Sequence, residues 1–391
     1  MTSTVSAKGD TKSADVIGDK VVGSIVAATI GDAIGGATEG WSHAAILEHW
    51  GGFVTGPAPM KKQRSISPKL TRGNGRYTDD TLMTHLMIET ICDLRRHIDA
   101  FDLADVFVPK LAFEEKWIPE LQENANVLSR VFLAEKYLVL KLWTMKNDPR
   151  EAGVGNAVNC GAAMYASPIG LINAGRPKQA YDEAVSVFGA HQSSYGREAA
   201  GVMAACVAEA ANPAGSSVER IMQVALSLSK DGTHDAIASV LSAASAFDTW
   251  EEAVSTGAIR DAIVPFDTVG EKYREPDMGA KMPSRQKSIE ELPVALAMLK
   301  ITNGDVRQTI LGGTNYGRDA DSIASMGAAI AGALQGTEGI PQDWAEVVER
   351  ESATDIYAPA RALAEVTREI AKLDLIELKS AQSAVEAIIR D

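Results

Sequence analysis

Two short stretches of this chain place carboxylates beside a hydroxyl at the start of an apolar run. In the first, Asn315-Tyr316-Gly317-Arg318-Asp319-Ala320-Asp321-Ser322 leads into Ile323–Leu334, whose residues are almost all small or apolar. Residues two apart on a regular helix point to nearly opposite sides. Asp319 and Asp321 can therefore converge only on a turn that enters the helix. The free N–H groups of such a turn tolerate anions, and a following run without a polar face has to be buried. Two acids at the mouth of a buried helix need compensating charge, and oxygen-rich donor sets favour Mg²⁺, Mn²⁺ or Ca²⁺. An ordinary N-cap with an acidic first turn accounts equally for this stretch taken alone.

The second stretch is Thr78-Asp79-Asp80-Thr81, followed by Met83, Leu86, Met87, Thr90, Ile91 and Leu94 at helical spacing. Thr78 takes the N-cap position. His85, Glu89 and Asp93 recur at i, i+4, i+8 and read as the solvated face of that helix. A third element, Asp19–Ile34, has Val22, Ile25, Val26, Thr29 and Ile30 at helical spacing and ends in Gly31-Asp32-Ala33-Ile34-Gly35-Gly36, with Glu39 beyond. Its glycines permit either close helix contact or a tight exit turn. Singly, Asp32 and Glu39 read as surface acids. Together with the two acid-plus-hydroxyl motifs they suggest several converging carboxylates, which repel and raise one another's pKa unless cations hold them ionised.

The elements that must position these residues read as helices throughout. Ala180–Val187, Glu198–Ala211, Ile221–Leu228, Ile237–Phe247, Glu290–Leu299 and the segment after Pro341 carry helical patterns, and no convincing set of alternating strands emerges. Gly153-Val154-Gly155-Asn156 opens an Ala-rich helix that runs towards Met164. The amides of such a loop can cradle a phosphate, and a tight turn is the plainer reading. No strand precedes it, so neither a Walker loop nor a dinucleotide fingerprint is present. His191 lies between two apolar helices, where a buried hydrogen-bonded histidine is at least as natural as a functional one.

The 391 residues suffice for a large core in one all-α domain, residues 16–391, behind a polar tail, 1–15, expected to be disordered and lacking the apolar core of a secretory signal. A formal charge of −14 argues against nucleic acid or an anionic membrane as main partner, and no apolar run reaches the length of a span. Cys92, Cys160 and Cys206 are widely spaced and odd in number, indicating neither a disulfide framework nor a zinc site and pointing to a reducing, cytoplasmic setting.

Gly31-Asp32-Ala33-Ile34-Gly35 with Glu39, then Thr78-Asp79-Asp80-Thr81, then Gly317-Arg318-Asp319-Ala320-Asp321-Ser322 with its Gly/Ala helix resemble, in this order, the ADP-ribosylglycohydrolase family. The similarity runs from about Val16 to Gly336. It implies an all-α fold with a central cleft holding two divalent metals, Mg²⁺ or Mn²⁺, with Thr78, Asp79, Asp80, Asp319, Asp321 and Ser322 as ligands. Catalytic weight would fall on Asp79, Asp80, Asp319 and Glu39, the last positioning or activating the attacking water. Gly153, Gly155 and Asn156 would face the diphosphate of the substrate, and His191 its ribose or base. The implied activity is hydrolysis of an N-glycosidic bond in an ADP-ribosyl or related ribosyl compound, small or protein-linked. Other small N-glycosides, phosphoesters, or non-catalytic binding of a nucleotide-like ligand are the alternatives. Ser322 stands where the family often has Thr, which keeps the hydroxyl. Phe101–Asn147 and Val264–Lys287 are longer than a minimal member needs and are expected to shape the pocket as wall and lid, favouring a small substrate. Arg318 is a candidate positive charge for it.

Overall fold

The computed structural model describes residues 15–61, 70–266 and 289–390. The expected tail, apart from Asp15, and the expected lid from residue 267 onward lie outside the described residues. Asp15 caps α1 (Val16–Gly35) by accepting from the Gly18 amide. Further along come α2 (Asp79–Leu94), α3 (Ser194–Ala210), α4 (Glu291–Ile301), α5 (Val306–Tyr316), α6 (Ala320–Gln335) and α7 (Tyr357–Arg390), with shorter helices between them. Helix dominates, as the periodicity predicts. The exception is a small antiparallel hairpin, β1 (Glu115–Ile118) with β2 (Glu123–Asn126), in which Glu115 faces Asn126 and Ile118 faces Glu123. Four-residue strands made largely of Glu, Lys and Asn, with Ile118 their one β-branched residue, carry no run of strand-formers, so pattern alone does not reveal them.

The centre of the molecule is the pair α1 and α6, drawn from opposite ends of the chain. A methyl added at Gly23 would lie 2.5 Å from the Gly332 carbonyl oxygen, at Gly31 2.5 Å from that of Ala324, and at Gly35 2.4 Å from that of Ala320. The partner number falls as the α1 number rises, so the helices run antiparallel at backbone contact. The glycines thus serve helix packing rather than an exit turn. Ser24 Oγ donates to the Ala329 carbonyl at 2.8 Å and closes one of the few polar seams. Ile25, Ile30, Ile323, Met326 and Ile330 are buried around this pair, each contributing about 1.5–3 kcal/mol. Gly31→Ala would force the two backbones apart, because backbone on both sides leaves nothing to yield. The antiparallel crossing also sets the chemistry: the end of α1 comes to lie beside the start of α6.

Candidate functional site

Two backbone clamps fix that junction. Arg318 N donates to Trp41 O at 2.7 Å and Gly40 N donates to Arg318 O at 2.6 Å. Gly317 has φ 78°, and a Cβ there would meet Trp41 O at 2.2 Å, so the close approach requires glycine. Arg318 itself sits at φ 60°, a conformation costly for a residue with a Cβ and held by its two hydrogen bonds. Thr38 Oγ1 donates to Thr314 O at 2.6 Å. Glu39, between these contacts, is thereby locked against the turn carrying Asp319.

Asp319 is the N-cap of α6 with non-helical backbone, and Asp321 lies in the first turn. This is the entering turn that the two-residue spacing demands. Carboxylate oxygens of Glu39, Asp319 and Asp321 lie within 4.8 Å of one another. From the other side α2 brings Thr78, whose hydroxyl donates to Asp321 Oδ2 at 3.4 Å. Thr78 occupies the N-cap position but makes no side-chain cap. That task falls to Asp32 of α1, which accepts from Thr78 N at 3.0 Å, Thr81 N at 3.0 Å and Thr81 Oγ1 at 2.5 Å. Asp32 and Glu39 are therefore buried, not surface, acids: one anchors α2 and the other faces the cleft.

Charge accumulates without full compensation. Burial, reinforced by Asp32, Asp79 and Asp319, pushes the Asp80 carboxyl well above the usual range, with a Ser322 hydrogen bond opposing. Burial, Asp319 and Asp80 do the same to Asp321. Burial lifts Asp32 to about 6 against its four hydrogen bonds from Thr78 and Thr81. Asp80 Oδ1 is buried without a hydrogen-bond partner, the state of an oxygen whose natural partner is a cation. Asp79, Asp80, Asp319, Asp321 and Ser322, with Glu39, line one cleft of about 270 Å³. An all-oxygen set of this kind, with one orphaned acceptor on Asp80, fits hard divalent cations such as Mg²⁺ or Mn²⁺.

Two arginines not singled out from sequence border the acids. Arg72 pairs with Glu39 and, through Nε at 2.7 Å, with Glu120. Arg130 pairs with Glu120 and, at 2.9 Å, with Asp79. All five residues are buried, so the chain Glu39–Arg72–Glu120–Arg130–Asp79 braces both edges of the cleft. Glu120 comes from the hairpin turn. Phe132 to Glu135 line the cleft itself, so part of the long 101–147 segment forms its wall. Cys160 was also not anticipated: its thiol donates to Asp319 Oδ2 at 3.1 Å, and burial and Asp319 hold it protonated. Arg130, a lone charge within Val127–Leu133, is the one of these with a signal in the sequence.

The remaining predicted residues sit elsewhere. The Gly153 amide donates to Gly189 O at 2.9 Å, and the Asn156 amide to Gly153 O at 3.1 Å. A Cβ on Gly153 would meet Gln192 backbone at 2.4 Å. These amides are thus engaged within the protein. Gly155 and Asn156 line a separate hollow of about 660 Å³ with Tyr195, Glu198 and Lys230. Beyond the loop the expected Ala-rich helix is a single 3₁₀ turn, Cys160–Ala162. His191 is fully buried, its Nδ1 2.9 Å from Tyr165 Oη and its Nε2 3.5 Å from Glu135, so it backs a cleft residue without lining the cleft. Arg318 is buried and paired through Nε with Glu290 at 2.7 Å, committed to the fold. His85 is half-buried, with burial pushing its imidazole down to about 4, and Glu89 and Asp93 of the same stripe bind Lys116 and Lys110. That face is half-solvated and laced by ion pairs, with Asp93 exposed and His85 and Glu89 partly buried.

A sequence profile described as ADP-ribosylglycohydrolase matches residues 13–374. The chain belongs to the ADP-ribosylglycohydrolase family. The mouse (Mus musculus) ADP-ribosylhydrolase ARH3 is 26% identical over 353 residues, 86% of this chain and 89% of the relative. Uncharacterized protein YegU of Escherichia coli (strain K12) is 23% identical over 327 residues, 82% of this chain and 89% of its own length. A solved ADP-ribosylglycohydrolase-related protein complex matches with a TM-score of 0.57 at 18% identity, covering 90% of this chain and 99% of that one. That structure supports the all-α fold. No helix among the described residues is long and apolar enough to cross a membrane.

Proposed function

We propose that the acid cleft hydrolyses the N-glycosidic bond of an ADP-ribosyl or related ribosyl compound. The observation that carries this reading is the convergence of Glu39, Asp319 and Asp321 around a buried, partnerless Asp80 oxygen, in a chain of this family. Thr78, Asp79, Asp80, Asp319, Asp321 and Ser322 would hold two divalent cations, Mg²⁺ or Mn²⁺, whose charge would keep the carboxylates ionised and orient ribose hydroxyls. Breaking the glycosidic bond builds positive charge at the anomeric carbon, and the surrounding carboxylates favour it electrostatically. Glu39 takes one proton of the attacking water, whose oxygen bonds the anomeric carbon, while the leaving nitrogen departs with the electron pair of the broken bond and takes up a proton in turn. Arg72 holds Glu39 in place through their ion pair, and the Gly40–Arg318 clamp fixes its backbone. Phe132 and Leu133, both more exposed than their neighbours, offer an apolar wall for a ribose or base. Arg318 is committed to Glu290, so the cations, when bound, would supply positive charge for the anionic diphosphate. A wall formed by residues 132–135 favours a small ribosyl compound over a modified side chain on its own protein backbone.

The test is release of ADP-ribose from matched small and protein-linked substrates, with and without chelator. Glu39→Gln should lose about 10²–10⁴-fold in kcat while still binding Mn²⁺ by calorimetry. Unchanged turnover in Glu39→Gln would remove it from catalysis, and turnover indifferent to chelation would remove the metal ligands. A higher kcat/KM on the protein-linked substrate would reverse the proposed size preference and leave the chemistry standing.

A further inference from the structure

Asp319 stands at the N-cap of α6, where an aspartate ordinarily accepts a bond from the helix's own amides. Its side chain makes no such bond. Among the described residues, the one group that donates to this carboxylate is the Cys160 thiol, 3.1 Å from Oδ2. The same sulfur lies 3.7 Å from Ser322 Oγ, and the Ser322 hydroxyl in turn bonds Asp80. Asp80 is only 3% exposed and keeps its Oδ1 partnerless in the same cleft. One sulfur therefore touches both ends of the 319–322 motif, and the far end reaches the carboxylate with the orphaned oxygen.

The backbone holds that sulfur in place. Cys160 opens the 3₁₀ turn Cys160–Ala162. Asn159 Oδ1 caps the turn, accepting from Gly161 N at 3.0 Å and from Gln192 Nε2 at 2.8 Å. Gln192 Nε2 also donates to Ala157 O at 3.0 Å, so the residues leading into Cys160 are tied down. A Cβ on Gly161 would meet Glu135 Oε1 at 2.5 Å, which shows how closely the turn packs on the cleft wall. We propose, on the reading of the cleft as a cation site, that Cys160 is a positioning residue: its S–H sets the rotation of the Asp319 carboxylate, and its sulfur buttresses Ser322. Carboxylate ligands are commonly held by such an outer bond, whose loss typically costs about 10–100-fold in metal affinity. A thiol suits the place because it donates while neutral, adding no negative charge to a cleft already crowded with it. A cysteine that only filled space, as a small buried hydrophobe, would matter through its volume and not through its hydrogen.

Calorimetric titration of Mn²⁺ into the full chain separates the two roles. Cys160→Ala should bind Mn²⁺ about 10–100-fold more weakly, and Cys160→Ser, which keeps a donor, should recover most of that loss. Both variants remove the bulk of the sulfur, so a packing role weakens both alike. Equal weakening, or an unchanged affinity in Cys160→Ala, overturns the proposal. An infrared measurement decides the matter even where Cys160→Ala fails to fold. The S–H stretching band that is lost in Cys160→Ser should move to higher frequency when Mg²⁺ is added to the wild type, because a cation on Asp319 draws charge away from the hydrogen bond. A band indifferent to Mg²⁺, in a wild type that binds the ion, overturns the role of Cys160 alone. A wild type that binds neither Mn²⁺ nor Mg²⁺ overturns the cation site itself and Cys160's role with it.

Discussion

Two clusters of buried acids in this molecule have opposite characters. At the foot of α7, Glu183 and Asp374 flank His97, with Nδ1 at 2.6 Å and Nε2 at 2.9 Å. Asn173 Nδ2 donates to Glu183 at 2.7 Å, the Ile98 amide adds a bond at 3.1 Å, and Arg176 closes on Asp374. Burial opposes charge on His97, and the two carboxylates outweigh it and raise its pKa. Every acid there meets a donor. In the cleft, Asp80, Asp319 and Asp321 accept hydrogen bonds from Ser322, Cys160 and Thr78, but burial and Asp319 still raise the pKa of Asp80 and Asp321, Asp80 Oδ1 has no partner, and Arg72 and Arg130 reach only the edges. Buried carboxylates that satisfy themselves hold the fold together. Buried carboxylates left facing one another cost stability.

The sharpest way to break this contrast is to remove one acid from each cluster. Asp321→Asn should lower kcat/KM by at least about 10³-fold, roughly 4 kcal/mol, with little loss of folded protein. Glu183→Ala should do the reverse, costing about 3–5 kcal/mol in denaturant unfolding while kcat of the surviving enzyme is retained. Equal destabilisation by both would erase the distinction.

A smaller effect sharpens it. In the presence of chelator, Asp80→Asn should raise unfolding free energy by about 1–2 kcal/mol, because it removes a charge from a repelling group. The gain should vanish at saturating Mg²⁺, where wild type alone is stabilised by ligand. Thermal melts of both proteins in both conditions read this directly.

The smallest effect concerns pH. Asp32 is held at about 6 in the folded chain, against an ordinary value of roughly 4. The folded state therefore binds this proton more tightly, and its contribution to stability is lost as pH rises through that window. Metal-free wild type should lose up to about 1.4 kcal/mol per pH unit relative to Asp32→Asn between pH 4 and 6. Parallel stability–pH curves would show that Asp32 does not titrate there.

The acid-plus-hydroxyl motifs were legible because their chemistry is local: spacing, hydroxyl and apolar run lie within a dozen residues. The all-α fold was legible for the same reason, through helical periodicity. Arg72, Glu120, Glu135 and Cys160 were not, since each acquires its place only when distant segments close around the cleft. The fates of Asp32 and Glu39 illustrate the limit. Asp32 sits in the last turn of the Gly-rich helix and Glu39 just beyond it, and nothing local tells which carboxylate caps α2 and which faces the cleft. For the 153–156 loop, glycine spacing suggested a cradle, but the amides of Gly153 and Asn156 had nearer carbonyl partners.

The antiparallel contact of α1 with α6 joins residues as far apart as Ser24 and Ala329, 305 positions along the chain. Closing so long a loop adds little to the equilibrium cost, which grows only with the logarithm of length, but it defers the event in time. At synthesis rates of about 5–20 residues per second, the start of the chain waits tens of seconds for its partner helix to emerge. Throughout that wait the glycine face of α1 stands open and Glu39 has no Asp319 beside it. The acid cleft therefore cannot assemble until the chain has been made through Ser322.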